Sequence, residues 1–155
     1  MYRQWSVHQT TSSCTTMEND EMKNALVYCC NSKPKFTDML ANSINSFAVH
    51  NPSLKDKVGI YVITDVQNLD TSKVTKGINI TIVDNIQCNY HSFFENRYVT
   101  TYAYFRFDIF KNPVFQDFDN LMYLDVDTEF NKSIDELFTT THDPGIYMVK
   151  EWGKR

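Results

Sequence analysis

A run of apolar residues that ends in two carboxylates is the feature that most constrains the fold of this chain. The segment Leu121–Leu124 leads directly into Asp125-Val126-Asp127. A short apolar run of this kind is typical of a strand buried in a sheet. We expect the strand to end here, with Asp125 and Asp127 at its carboxyl end. In an open α/β sheet, ligands bind at the edge where the strands have their carboxyl ends.

Segments of strand and helix character alternate along the 155 residues, which are enough for one domain. Hydrophobic patterns predict helices at 39–48, 99–110 and 134–138, and strands at 25–30, 58–63, 78–83, 120–124 and 145–149. This order favours an α/β fold with a mostly parallel sheet flanked by helices. No glycine lies in Cys29–Ser32, directly after the first strand. The sequence therefore lacks the glycine-rich fingerprint of a Rossmann dinucleotide-binding enzyme.

The two aspartates can be interpreted in two ways. Carboxylate oxygens are hard ligands that suit Mg²⁺ or Mn²⁺, and such an ion can in turn bind a pyrophosphate. Aspartates also follow many strands simply as turn-forming residues. The buried strand that runs straight into Asp125 favours the metal site over the turn.

Composition excludes several classes of protein. The formal net charge is −4, and Lys and Arg form no cluster, so nucleic-acid binding is not expected. Residues 1–23 are polar and have no apolar core, so we expect a flexible segment that is neither a signal peptide nor a membrane anchor. No later segment is long enough to span a membrane. The four cysteines form no Cys-x-x-Cys pair, and buried reduced thiols fit a soluble, cytoplasmic protein.

The residues around the aspartates carry a family resemblance. An aromatic-rich segment with an Arg (102–110), a strand ending in Tyr-Leu-Asp-x-Asp (120–127) and a polar turn with a Leu-containing helix (131–138) follow one another. This succession resembles glycosyltransferase family 8, the family of glycogenin and the bacterial lipopolysaccharide galactosyltransferases. The resemblance is most specific from Thr100 to Phe138 and extends more weakly back to Asn24. It implies a GT-A fold over 24–155 and a retaining transfer from a nucleotide sugar to a saccharide or glycoprotein acceptor.

The same resemblance implies roles for individual residues around the aspartates. Asp125 and Asp127 correspond to the aspartates that bind Mn²⁺, or Mg²⁺ in its place, and the ion bridges the diphosphate of the donor. Asp125, Val126 and Arg106 would contact the nucleotide sugar, for which a UDP-sugar is the first expectation. From the residues alone, Arg106 could equally be a surface arginine whose stem covers aromatic side chains.

The first loop departs from the family pattern. The aromatic residue expected to stack on the nucleotide base is Phe36, where the family usually has Tyr. Lys33 lies near the position of an expected acidic residue, and Asn31 is the nearest polar substitute. Because a cation replaces a carboxylate here, the base of the nucleotide is left open.

The C-terminal part of the family pattern is not recognisable. The family takes a third metal ligand from a later His-x-x-Gly-x-Lys-Pro-Trp-like segment, whereas His142 lies too early and in a predicted turn. We therefore expect a GT-A domain that is truncated at its C-terminal side. One alternative is a non-catalytic remnant that still binds a nucleotide sugar. A second is a haloacid-dehalogenase-like phosphatase, against which Glu129 and the late position of Asp125 both argue.

Overall fold

The computed structural model describes residues 23–87, 101–140, 143 and 145–147. The strands are β1 (Asn24–Cys29), β2 (Val58–Ile63), β3 (Ile80–Val83) and β4 (Asn120–Leu124). The helices are α1 (Pro34–His50), α2 (Thr101–Tyr104) and α3 (Asp135–Thr139), with two 3₁₀ helices at Phe105–Phe110 and Pro113–Phe115. None of the described helices is long and apolar enough to cross a membrane.

The described strands form one parallel sheet in the order β3-β2-β1-β4. In register, Cys29 of β1 lies beside Ile63 of β2, and Tyr28 lies beside Leu124 of β4. The strands therefore end together, and the residues that follow them share one edge, called the carboxyl edge below. The predicted α/β class and the mostly parallel sheet are confirmed.

Strand β1 is buried on both faces because the core lies on both sides of the sheet. Leu26 and Tyr28 pack with α1, whereas Ala25, Val27 and Cys29 face the cluster that contains Phe105 and Phe115. Alternation of side chains along a strand produces this division. It also sends Cys29 and its neighbour Cys30 into different clusters, as two adjacent residues of an extended chain require.

Helix α1 covers the first of these cores and is longer than its apolar pattern predicted. It begins at Pro34, because proline lacks the amide hydrogen that the first turn cannot use. Leu40, Ile44 and Phe47 form its buried stripe. Asn51 ends the helix: its backbone amide and its side-chain Nδ2 both donate to the carbonyl of Phe47, at 2.8 and 3.0 Å.

Three further sequence predictions were wrong in part. Strand β3 begins at Ile80 rather than 78, because the preceding residues form a turn at Gly77, whose φ is +85°. Within the predicted helix 99–110, residues 99–100 lie outside the described part, and only Thr101–Tyr104 is α-helical. Gly145–Tyr147 is not a strand: Ile146 is 77% exposed, and the Tyr147 hydroxyl donates to the carbonyl of Asp143. Residues 148–149 lie outside the described part.

The segment that follows β4 is fastened to α1 by two hydrogen bonds. The backbone amide of Phe130 donates to Ser46 Oγ at 2.9 Å, and that of Ile134 donates to Asn51 Oδ1 at 2.7 Å. The rings of Phe130 and Phe47 meet edge to face at 5.4 Å. These contacts fix the path of the chain immediately after Asp125 and Asp127.

We expect Asn51→Ala to lower the free energy of unfolding by about 1–3 kcal/mol, because the partly buried amide of Ile134 loses its acceptor and the carbonyl of Phe47 loses one of its two donors. Denaturant unfolding followed by circular dichroism measures this change. Asn42→Ala is the control, since Asn42 is exposed on the same helix. Equal stability of the two variants would contradict the role given to Asn51.

Candidate functional site

Asp125 and Asp127 lie in a turn at the carboxyl edge. β4 ends at Leu124, and the amide of Thr128 donates to the carbonyl of Asp125 at 3.0 Å, which closes the turn. Val126 packs against the core cluster on the α1 side of the sheet. The side chains of Asp125 and Asp127 are exposed on either side of this apolar anchor. The turn is therefore held in place while both carboxylates remain open to solvent.

One oxygen of Asp125 receives two donors. The Tyr123 hydroxyl donates to Oδ1 at 2.7 Å, and Arg106 Nη2 lies 3.4 Å from the same oxygen. The side chains of Asp125 and Arg106 are 60% and 39% exposed. Ion pairs with this exposure are held weakly, at about 0–1 kcal/mol. The shorter bond from Tyr123 is therefore the firmer of the two contacts.

Arg106 is placed beside Asp125 by contacts along its whole length. Its Nε donates to the carbonyl of Ala103 at 2.6 Å, and its guanidinium carbon lies 4.7 Å from the centroid of the Tyr123 ring. A guanidinium at this distance is attracted by the face of an aromatic ring. Arg106 thus covers an aromatic side chain and also reaches the first aspartate of the motif.

Burial controls the protonation of the groups beneath Arg106. It is the main cause that raises the pKa of the Tyr123 phenol, so this hydroxyl stays protonated and donates to Asp125. Burial also raises the pKa of Cys29 to about 12, although the charge of Arg106 acts in the opposite direction. Cys29 is accordingly a neutral thiol at neutral pH.

Asn31 and Phe36 lie where β1 leads into α1. Asn31 is buried, and its Oδ1 accepts a hydrogen bond from the amide of Lys33 at 3.0 Å. Phe36 is partly buried in the first turn of α1 and packs against the core cluster. Both residues follow the strand adjacent to β4, but no hydrogen bond or ring contact within the described residues joins them to Asp125. Their roles toward a nucleotide stay predictions.

The sequence model of glycosyl transferase family 8 matches residues 6–154. The chain belongs to glycosyltransferase family 8. Its parallel sheet flanked by helices agrees with the GT-A type fold. The match includes most of the segment 1–23, which the sequence analysis had set apart from the domain. Neither the curated proteins nor the solved structures compared with the chain gave a significant match.

In the described part of this family 8 glycosyltransferase, the side chains at the carboxyl edge that could ligate a metal ion are few. Within the described residues, no three His, Cys, Asp or Glu side chains come together as a ready-made metal site. His142 lies outside that part. Asp125 and Asp127 offer carboxylate oxygens only. One or two carboxylates, completed by water and substrate phosphates, are the usual protein ligands of Mg²⁺. The chemistry of the two aspartates therefore suits a hard divalent ion, and a metal site here stays a prediction.

Tyr123 is the residue of this site that the sequence analysis missed. The sequence pattern predicts for it only a place in the buried strand and in the family motif. A signal was nevertheless present, because residues i and i+2 of an extended chain point to the same side. That rule places the Tyr123 hydroxyl next to Asp125, which directly follows the strand.

Cys29 and Cys30 should resist alkylation in the native glycosyltransferase. Burial raises their pKa values to about 12 and about 11, so little reactive thiolate exists at pH 8. With iodoacetamide and peptide mass mapping, we expect their modification to be at least about tenfold slower than in denaturant. Equal rates for native and denatured protein would show that these thiols are not shielded.

Proposed function

We propose that this glycosyltransferase binds a nucleotide sugar, most directly a UDP-sugar, through Mn²⁺ or Mg²⁺ held by Asp125 and Asp127. It then transfers the sugar to a saccharide or glycoprotein acceptor with retention of anomeric configuration. The observation that carries the proposal is the pair of exposed carboxylates in the turn after β4, with a guanidinium against the first of them. Retention rests on the family alone.

Different residues of the carboxyl edge would bind the ion and the phosphates of the donor. Asp125 and Asp127 would hold the ion. The chemistry that such an ion supplies is neutralisation of the charge that develops on the departing diphosphate. Arg106 adds a permanent positive charge within 3.4 Å of Asp125. Its planar fork of donors matches the oxygens of a phosphate group.

Arg106 can serve a phosphate at small cost to the free protein. Its ion pair with Asp125 is exposed, so giving it up costs about 0–1 kcal/mol. Nη1 makes no hydrogen bond within the described residues, so it can donate to a phosphate while Nε keeps its bond to the carbonyl of Ala103 and the guanidinium keeps its contact with the Tyr123 ring. The same arginine can therefore neutralise Asp125 in the free protein and contact the donor in the complex.

The base would lie toward Phe36 and Asn31, at the end of the neighbouring strand. Phe36 keeps part of its ring exposed in the first turn of α1. Asn31 is a weaker candidate for direct contact, since its buried side chain already accepts a hydrogen bond from Lys33. Every base can stack on an aromatic ring, so these residues alone would not select uracil over another base.

The alternative of a phosphatase is not supported, because the match to family 8 extends over 6–154. A non-catalytic protein that binds a nucleotide sugar uses the same residues of the carboxyl edge. The two functions differ only in turnover. Release of nucleoside diphosphate from a panel of nucleotide sugars with Mn²⁺ separates them: Asp125-dependent turnover supports the transferase, and tight binding without turnover supports the binding protein.

Nucleotide binding should depend on metal and on both aspartates. In calorimetric titrations of UDP and GDP, we expect Mn²⁺ to increase the affinity for at least one of them by about tenfold or more, because the ion links carboxylates to phosphates. The double variant Asp125→Asn with Asp127→Asn should lose this increase and keep its fold.

A matched control removes the same charge from the opposite edge of the sheet. Asp56 and Asp117 are exposed and precede β2 and β4, so Asp56→Asn with Asp117→Asn should leave the metal dependence unchanged. If the double variant of the site bound both UDP and GDP as the wild type does in Mn²⁺, the metal site would be refuted.

Phe36→Ala tests the stacking role. Loss of a base–aromatic stack should weaken nucleotide binding by about 1–3 kcal/mol. The thermal midpoint should fall little, because Phe36 lies at the margin of the core rather than within it. A large loss of stability with unchanged affinity of the folded fraction would show that Phe36 is a core residue only.

A further inference from the structure

The hydroxyl of Tyr123 makes a contact with Asp125 that neither strand packing nor ion pairing requires. It donates to Oδ1 at 2.7 Å, while the ring remains part of the apolar cluster beneath it. A phenylalanine would fill the same volume and make the same ring contacts. The hydroxyl is therefore the part of Tyr123 that needs an explanation.

We propose that Tyr123 is a positioning residue for the divalent cation site: its hydroxyl holds Oδ1 of Asp125 so that Oδ2 is presented to the ion. This inference rests on the proposed function, in which Asp125 is a metal ligand. Tyr123 itself would touch neither the ion nor the donor.

The two donors to Oδ1 differ in what holds them. The Tyr123 ring belongs to β4, packs in the cluster with Cys29 and lies under the guanidinium of Arg106. Arg106 instead reaches Asp125 with the end of a long, partly exposed side chain. When Arg106 turns to a phosphate, the hydroxyl of Tyr123 can remain in place on Oδ1.

A fixed orientation of Asp125 has an energetic consequence. An exposed aspartate samples several rotamers, and a ligand that needs one of them must bear the cost of ordering it. No donor to Oδ2 is found within the described residues, so this oxygen is available to a cation. Outer partners that orient a ligating carboxylate typically change metal affinity by about 10–100-fold when they are removed.

Tyr123→Phe is the decisive variant, because it deletes the hydroxyl alone. Titrate Mn²⁺ in the presence of UDP, and follow the ion by its paramagnetic resonance signal and the nucleotide by calorimetry. We expect about tenfold weaker Mn²⁺ binding. Nucleotide affinity measured without metal and the thermal midpoint should stay close to the wild type, which a general loss of packing would not allow.

Tyr61→Phe is the matched control. Tyr61 lies in β2, in the same apolar cluster, with edge-to-face contacts to Phe115 and Phe118. Within the described residues its hydroxyl has no hydrogen bond, so its removal should leave Mn²⁺ binding unchanged.

Asp125→Asn separates the failure of this inference from that of the proposed function. If Asp125→Asn removes Mn²⁺ binding but Tyr123→Phe binds Mn²⁺ as the wild type does, the positioning role is overturned and the metal site stands. Tighter Mn²⁺ binding by Tyr123→Phe would overturn it as well, since the hydroxyl would then compete with the ion. If Asp125→Asn has no effect, both ideas are wrong.

Discussion

The parallel pairing of β1 with β4 is the constraint on which the rest of the carboxyl edge depends. The pairing is fixed at the amino ends of the strands, where Lys23 and Asp119 exchange backbone and side-chain hydrogen bonds and Asn120 Nδ2 donates to Asn24 Oδ1. A slip of one residue would turn every side chain of a strand to the other face. Polar contacts at one end of the sheet thus determine where Asp125 lies at the other.

A second constraint fixes the direction in which the chain leaves this edge. The segment after Asp127 is held against α1 through Ser46 and Asn51, whose side chains accept hydrogen bonds from backbone amides of that segment. Asn51 also ends α1 through the carbonyl of Phe47. One side chain therefore ends a helix and positions the start of the next. As a result, the helix that covers the core also restrains the turn that carries the carboxylates.

The sequence predicted those parts of the structure that follow from local hydrophobic patterns. Buried strands with long apolar runs, and the end of β4 directly before Asp125, could be derived in this way. The 3₁₀ helix at Phe105–Phe110 could not, because its course depends in part on a distant residue: buried Asp108 accepts from the amide of Gln87, 21 residues away, as well as from Nδ2 of nearby Asn112. The aromatic run alone gives no sign of that network. The family resemblance identified Arg106 as a candidate site residue, but it did not predict the contact of Arg106 with the Tyr123 ring.

As a metal ligand of the proposed site, Asp125 would have to meet two opposing demands. The carboxylate would have to stay open to the ion, and its exposed side chain would also have to be held in one orientation. The chain meets both demands by placing its two donors on one oxygen, the first from a residue of β4 and the second from a flexible guanidinium. Only the guanidinium can leave without disturbing the sheet. In the proposed site, the guanidinium of Arg106 could therefore leave Asp125 for a phosphate, while the Tyr123 hydroxyl keeps the carboxylate in its orientation.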